Sequence, residues 1–214
     1  MHGFRFDSHK YGLAIHTSSP DLGLAVSNFA GDSRAASWNL GRDLSALLHQ
    51  YLADFIQPQS WTDLAFISVA RGPGGFTGTR IGVVTARTLA QQLNIPLFAI
   101  SSLAAVAWSH YTQNHTNSIY AVELPAQRGQ VYAAMYQPSD SGLITVLPDG
   151  VLSSDAWRAK LDCSSEAYQL IQVSQNLGES VSSILELAYL AWQQGLRPDW
   201  SEALPFYGQH PVDN

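Results

Sequence analysis

Residues 70–84 read Ala70-Arg-Gly-Pro-Gly-Gly-Phe-Thr-Gly-Thr-Arg-Ile-Gly-Val-Val84, and they sit between two apolar segments of different period. Before them, Leu64 to Ala70 is a near-continuous apolar run bounded by turn residues, as a buried parallel strand requires. After them, a helix is predicted from about Thr79 to Leu93, followed by Pro96 and a further strand from Leu97 to Ile100. Strand, glycine-rich loop, helix and strand specify an α/β fold. A loop in this position can aim backbone N–H groups and a helix N-terminus at an anion. Two nucleotide motifs are excluded, because the stretch lacks the Lys-[Ser/Thr] ending of a P-loop and Gly72, Gly74 and Gly78 miss the GxGxxG spacing. Arg71, Thr77, Thr79 and Arg80 beside the glycines leave two readings equally open: tight turning alone, or contact with an anion or partner.

The helix carries a second signal. Gly82, Ala86 and Ala90 recur every four residues and form a smooth stripe on which another helix can approach closely. Packing on the domain's own sheet would use the same stripe. A further apolar face, Ile81, Val84, Thr88 and Leu89, asks for burial on more than one side and favours a helix–helix subunit interface.

Outward from this centre, Tyr11–His16 and Leu22–Ser27 flank the turn-rich Thr17-Ser-Ser-Pro-Asp21, a β-hairpin pattern. Ser33–Trp38 adds a third strand, and Leu40, Leu44, Leu47, Leu48, Tyr51, Leu52 and Phe55 fall on one face of a helix that Pro58 ends. Ser101 and Ser102 are N-cap candidates for a helix to about Tyr111. The polar run 112–118 then divides the chain into an α/β lobe over 1–112 and a second α/β lobe over 113–214. In the second lobe, strands are predicted at 119–124, 131–137, 143–147 and 167–173, a short helix capped by Ser154, and an amphipathic helix over Val181–Gln194.

Of the 214 residues, 46% are apolar and 13% charged, so a substantial core is available and disorder is excluded. The net charge of −6 is uneven, +1 up to Ala107 and −7 from Trp108 onward. That balance argues against a protein gripping nucleic acid through its own phosphate-neutralising surface. Leu64 to Val122 holds Arg71, Arg80 and Arg87 and no carboxylate. Cys163 is the single cysteine, which rules out an internal disulfide and any cysteine-cluster metal site. No apolar run reaches membrane-spanning length, and Met1 to Lys10 has no signal-peptide core, so a cytoplasmic protein without membrane attachment is expected.

At Gly72-Pro-Gly-Gly-Phe-Thr-Gly-Thr-Arg-Ile-Gly82 the chain resembles the TsaB (YeaZ) family, whose hallmark reads close to GPGSFTGxRIG. Leu13-Ala-Ile-His-Thr-Ser18 is similar to that family's opening LAIDTS, and Ile95–Leu103 to its strand and helix cap. Arg128-Gly-Gln-Val-Tyr132 is similar to RxGEVY, and Leu204-Pro-Phe-Tyr207 to the C-terminal PxYLR. The resemblance implies a degenerate, two-lobed actin-like and Hsp70-like ATPase (ASKHA) fold. It also implies a scaffold role beside the catalytic TsaD subunit, with TsaE and TsaC, in forming N6-threonylcarbamoyladenosine on tRNA. Carried over, the partner interface is Arg80, Gly82, Ala86 and Ala90. The partners implied are a TsaD-like catalytic subunit and a TsaE-like ATPase, with tRNA reached indirectly and a homodimer formed through the same helix when the chain is alone. No catalytic residue and no cofactor of its own is expected, ATP or ADP with magnesium belonging to the complex.

The chain departs from the family at ionic positions. The hairpin aspartate is His16, the Asp-Ala-Arg before the glycine turn is Pro125-Ala-Gln127, and the following Glu is Gln130. The His-Ser of the first helix has no counterpart near Arg42-Asp-Leu-Ser45. An imidazole cannot replace a carboxylate beside magnesium.

Three other chemistries are weighed. A metallopeptidase would use histidines at HxxxH spacing, but His110 and His115 are five apart. A Ser or Cys hydrolase lacks a GxSxG elbow, and Cys163 has only Arg158 and Lys160 a few positions away. The runner-up is a nucleotide-dependent ATPase or phosphotransferase of the actin-like class. It would hold phosphates with Thr17, Ser18, Gly74, Gly75, Thr77 and Gly78, with Asp21 or Glu123 as the acidic metal ligand.

Overall fold

Short apolar strands around a tight turn build the first sheet. β1 (Tyr11–His16) runs antiparallel to β2 (Asp21–Ser27), with Leu13 opposite Val26, and β3 (Ser33–Asn39) lies along the other edge of β2. The chain then forms α1 (Leu44–Phe55), β4 (Leu64–Ala70), α2 (Phe76–Leu93) and β5 (Leu97–Ile100), the two strands parallel to β1. The order is β3-β2-β1-β4-β5. The computed structural model describes residues 6–164, 166–174 and 176–208. Residues 1–5 of the opening read above for a leader, and 209–214 of the second predicted lobe, lie outside it.

Period-two alternation decides which residue faces which layer. Leu13 and Ile15 of β1 point to one face, where Leu44, Leu48 and Leu52 of α1 and Val83, Ala86 and Ala90 of α2 close the core. Ala14, Ala25, Phe66 and Ala70 point to the other. There they meet Val181, Ile184, Leu185 and Ala188 of α5 (Val181–Gln193).

α3 (Ser102–Asn114) follows β5 and leads into the second sheet, made of β6 (Ile119–Pro125), β7 (Gln130–Ser139), β8 (Gly142–Ser153) and β9 (Tyr168–Gln172) in the order β8-β7-β6-β9. Tyr120, Val122 and Leu124 of β6 pack towards Leu103, Val106, Ala107 and Trp108 of α3. The alternate residues Ile119 and Ala121 pack towards Trp157 and Leu161 of α4 (Ser154–Asp162). The α/β class and the plan of two sheets agree with expectation.

Several boundaries differ from the sequence reading. α2 starts at Phe76 rather than Thr79, and α3 reaches Asn114, so the division at 112/113 falls inside a helix. The helix from the second segment, α5, covers the first sheet, so the two segments are not separate packing units. Ser101 caps α3, accepting from the N–H groups of Leu103 and Ala104. Ser153, not Ser154, caps α4 by accepting from the Ala156 N–H, while the Ser154 hydroxyl donates to the Gly129 carbonyl. β8 continues past Leu147 through Pro148-Asp149-Gly150 because bulges absorb the extra residues. Between the pairs Ala133–Gly150 and Met135–Leu147 it carries one residue more than β7.

Candidate functional site

The turn after β1 and the glycine-rich loop after β4 meet backbone to backbone. The Gly75 N–H donates to the Ser18 carbonyl at 2.7 Å, and the Thr17 hydroxyl donates to the Gly78 carbonyl at 2.8 Å. A Cβ on Gly74 would overlap the Ser18 carbonyl, one on Gly78 the Thr17 carbonyl, and one on Gly82 the Thr17 hydroxyl. Only hydrogen fits at these positions. The expected loop residues Thr17, Ser18, Gly74, Gly75 and Gly78 are therefore brought together, whereas Thr77 is exposed on the first turn of α2. The Gly75 N–H and the Thr17 hydroxyl bond within the chain and so are not offered to an anion there.

His16 lies fully buried at the end of β1. Burial pushes its imidazole down to about 3, which keeps it neutral at physiological pH. Nδ1 accepts from the Ser18 N–H at 3.3 Å, which assigns the ring proton to Nε2. Nε2, Ser18 Oγ, Thr79 Oγ1 and Ser102 Oγ are buried without a protein partner.

The runner-up reading of the sequence would place magnesium and a nucleotide here, and the residues present do not fit them. Magnesium takes oxygen donors in near-octahedral geometry, often carboxylates. At the hairpin stands a neutral imidazole instead. Asp21 is buried and accepts from the Ser19 hydroxyl at 3.1 Å. Glu123 is bonded to the Trp157 indole and, at 2.8 Å, to the Gln172 amide, on the α4 side of the second sheet. The two proposed acidic ligands are thus on separate elements with other partners. Among the described residues no group of three or more His, Cys, Asp or Glu side chains could hold a metal ion. His115 ends α3 in the left-handed conformation, beside the Tyr111 ring, and Cys163 is an exposed free thiol.

A cluster that the sequence reading missed joins the two sheets. Asp149 accepts from the Tyr136 hydroxyl at 2.6 Å and from the Ser101 hydroxyl at 2.8 Å, and pairs with the Arg71 guanidinium at 3.5 Å. The carboxylate is almost wholly buried, whereas the arginine side chain is 41% exposed. Burial pushes the Tyr136 phenol far above its ordinary range, and the Asp149 charge adds to this. Pro-Asp-Gly at 148–150 has the composition of a turn, which hid the bulged strand that carries Asp149.

α2 presents its small residues inward. Gly82 meets Thr17, and Ala86 and Ala90 are fully buried in the core shared with α1. This corrects the expected interface, since a partner could not touch Gly82, Ala86 or Ala90 where they lie. Close approach of a small-residue helix to its own hairpin and sheet is what the stripe serves. Of the four residues, Arg80 alone is exposed, on an outer ridge with Phe76, Val84 and Thr88. Val84 is 52% exposed. Between α2 and α1 runs a groove of about 590 Å³, with His49, Leu52 and Trp61 on one wall and Arg80, Val84 and Thr88 on the other, and no acidic residue in its lining.

A family model described as "TsaD: tRNA N6-adenosine threonylcarbamoyltransferase" matches residues 36–189. The TsaB protein of Bacillus subtilis is 38% identical over 144 residues, taking in 64% of this chain and 59% of that protein. The chain belongs to this family, in its TsaB (YeaZ) branch. The TsaB protein of Escherichia coli is 36% identical over 84 residues, 39% of this chain and 36% of that protein. The matches thus span less than two thirds of either curated relative. YeaZ from Pseudomonas aeruginosa superposes with a TM-score of 0.75 at 22% identity, covering 92% of this chain and 99% of that one, and so shares its fold. No helix among the described residues of this TsaB-family chain is long and apolar enough to cross a membrane.

Proposed function

We propose that this chain is a non-catalytic scaffold subunit in the formation of N6-threonylcarbamoyladenosine on tRNA, and that it holds a TsaD-like catalytic subunit through the outer ridge of α2 and the groove beside α1. The observation that carries this reading is the ridge itself. Phe76 and Val84 are large apolar side chains left exposed on a helix whose other face is buried, and the groove that Val84 lines contains no carboxylate. Apolar, carboxylate-free surface is cheap to desolvate against a partner. TsaB-named relatives support the pathway.

In this reading ATP or ADP with magnesium belongs to the assembly, a TsaE-like ATPase and tRNA join through it, and the setting is the cytoplasm. The acidic second half of the chain keeps this subunit from gripping tRNA strongly itself. A second copy of the chain would use the same ridge when the catalytic subunit is absent.

Co-purification of the chain with the TsaD of its own organism tests the proposal, comparing the wild type with Val84→Asp and Arg80→Glu. Both side chains point to solvent, so loss of the complex with an unchanged melting temperature is the expected result. Undiminished complex formation by both variants would overturn the interface. Depletion of the protein should lower the modified nucleoside in bulk tRNA, and an unchanged level would overturn the pathway.

A further inference from the structure

We propose that the C-terminal segment 203–208 is a strap that holds the glycine-rich loop closed over the first hairpin, and that its release frees the loop and the first turn of α2 as one unit. The strap is fastened on two sides. On the loop side, the Phe206 N–H donates to the Arg71 carbonyl at 2.6 Å, and the Tyr207 ring lies tilted against Phe76 with centroids 4.5 Å apart. On the side of the second sheet, the Tyr132 hydroxyl of β7 donates to the Tyr207 carbonyl at 3.2 Å. Gly208, at φ +63°, fits between Tyr132, Val151 and Phe206, where a Cβ would stand 2.7 to 3.3 Å from their side chains.

Gly72 is the seat of the strap. Its φ of +95° suits glycine, and a Cβ there would lie 2.5 Å from the Phe206 carbonyl oxygen. The same residue connects the strap to what lies beneath it. A Cβ on Gly72 would also stand 3.3 Å from Thr79 Cγ2, and the Gly72 carbonyl accepts from the Ser102 N–H at 2.9 Å. Thr79 and Ser102 are two of the residues whose buried hydroxyls have no protein partner, and Ser18, under Gly74, is a third.

Unpartnered buried hydroxyls favour any state in which water reaches them. The strap's contacts at Arg71 and Phe76 add to the bonds by which the loop itself holds Ser18 and Thr17. Arg71 is the positioning residue. Its carbonyl anchors Phe206, its guanidinium lies 6.0 Å from the centre of the Phe206 ring, and it reaches Asp149 on β8. Because Phe76 also opens the exposed ridge of α2, seating of the strap sets one end of the docking surface; that last consequence rests on the function proposed above.

Amide hydrogen exchange on the isolated chain tests the strap without any partner, so the docking reading can fail while the strap stands. Phe206→Pro deletes the N–H that bonds Arg71, and Tyr207→Ala deletes the ring against Phe76. The expected result is exchange at least about tenfold faster across residues 72–79 in both variants, with α1 and β6 unchanged. Tyr132→Phe removes a single hydroxyl and should give a smaller rise at the same residues. Unchanged exchange at 72–79 in the three variants, or a rise spread evenly over the whole chain, would overturn the proposal.

Discussion

The hydroxyl of Thr17 occupies the space into which a Cβ of residue 82 would project, and from there it donates to the Gly78 carbonyl at 2.8 Å. The first hairpin and the first turns of α2 thus interlock through a threonine and two glycines.

Gly82→Ala is expected to cost about 1–3 kcal/mol through overpacking against that hydroxyl. Thr17→Ala should cost about 0.5–1.5 kcal/mol for the lost hydrogen bond. Because the second change removes the atom that the first collides with, the double variant should be more stable than the two losses added together. Urea unfolding of all four proteins measures the coupling, and strict additivity would refute the shared space.

The buried imidazole of His16 gives a dependence on pH with a definite sign. Its folded-state value, about 3, lies below the ordinary 6.5, so the unfolded chain binds the proton first as the solution is acidified. Stability from this group is complete above about pH 6.5 and falls by about 1.4 kcal/mol per unit between there and pH 3. His16→Gln, which keeps an acceptor for the Ser18 N–H and does not titrate, should lose less stability than the wild type between pH 7 and pH 4. Parallel declines in the two proteins would contradict the assignment.

Asp149 and Arg71 should respond unequally. Asp149→Ala leaves the Tyr136 and Ser101 hydroxyls without their shared acceptor and should cost about 1–3 kcal/mol. Arg71→Ala removes the longer contact of a side chain that is 41% exposed and should cost at most about 1 kcal/mol. Thermal or urea unfolding distinguishes them, and equal losses would indicate that the ion pair rather than the hydroxyl cluster holds Asp149.

Tyr136 should remain protonated after the exposed tyrosines have ionised, because its phenol is buried against a carboxylate. In an alkaline absorbance titration of the folded protein, Tyr136→Phe should leave the amplitude of the transition near pH 10 unchanged. A loss of amplitude there would show that water reaches the ring.

Much of the architecture was legible because hydrophobic period speaks directly to element type. The hairpin at Tyr11–Ser27, the helix ending near Phe55 and the helix over Val181–Gln193 stand as their periods predict. The covering of the first sheet by that last helix was not legible, since an apolar stripe does not say which of two sheets it will meet. The same ambiguity misled the reading of Gly82, Ala86 and Ala90, where small side chains permit close approach to a partner or to the chain itself. Asp149 was hidden because a bulged strand borrows turn residues. Arg80 was named with the small stripe and Val84 with the second apolar face, and that the two share one exposed ridge with Phe76 became visible only once the inward face was known.

The contact between β1 and α5 has a consequence for how the chain acquires its structure. Ala14 and Ile184, neighbours in one core cluster, are separated by most of the polypeptide. Entropy opposes closing so long a loop until the contacts that reward it can form. During synthesis the first sheet therefore waits, one face bare, until α5 has been made. A fragment ending near residue 112 would keep that bare face permanently and would be prone to aggregate.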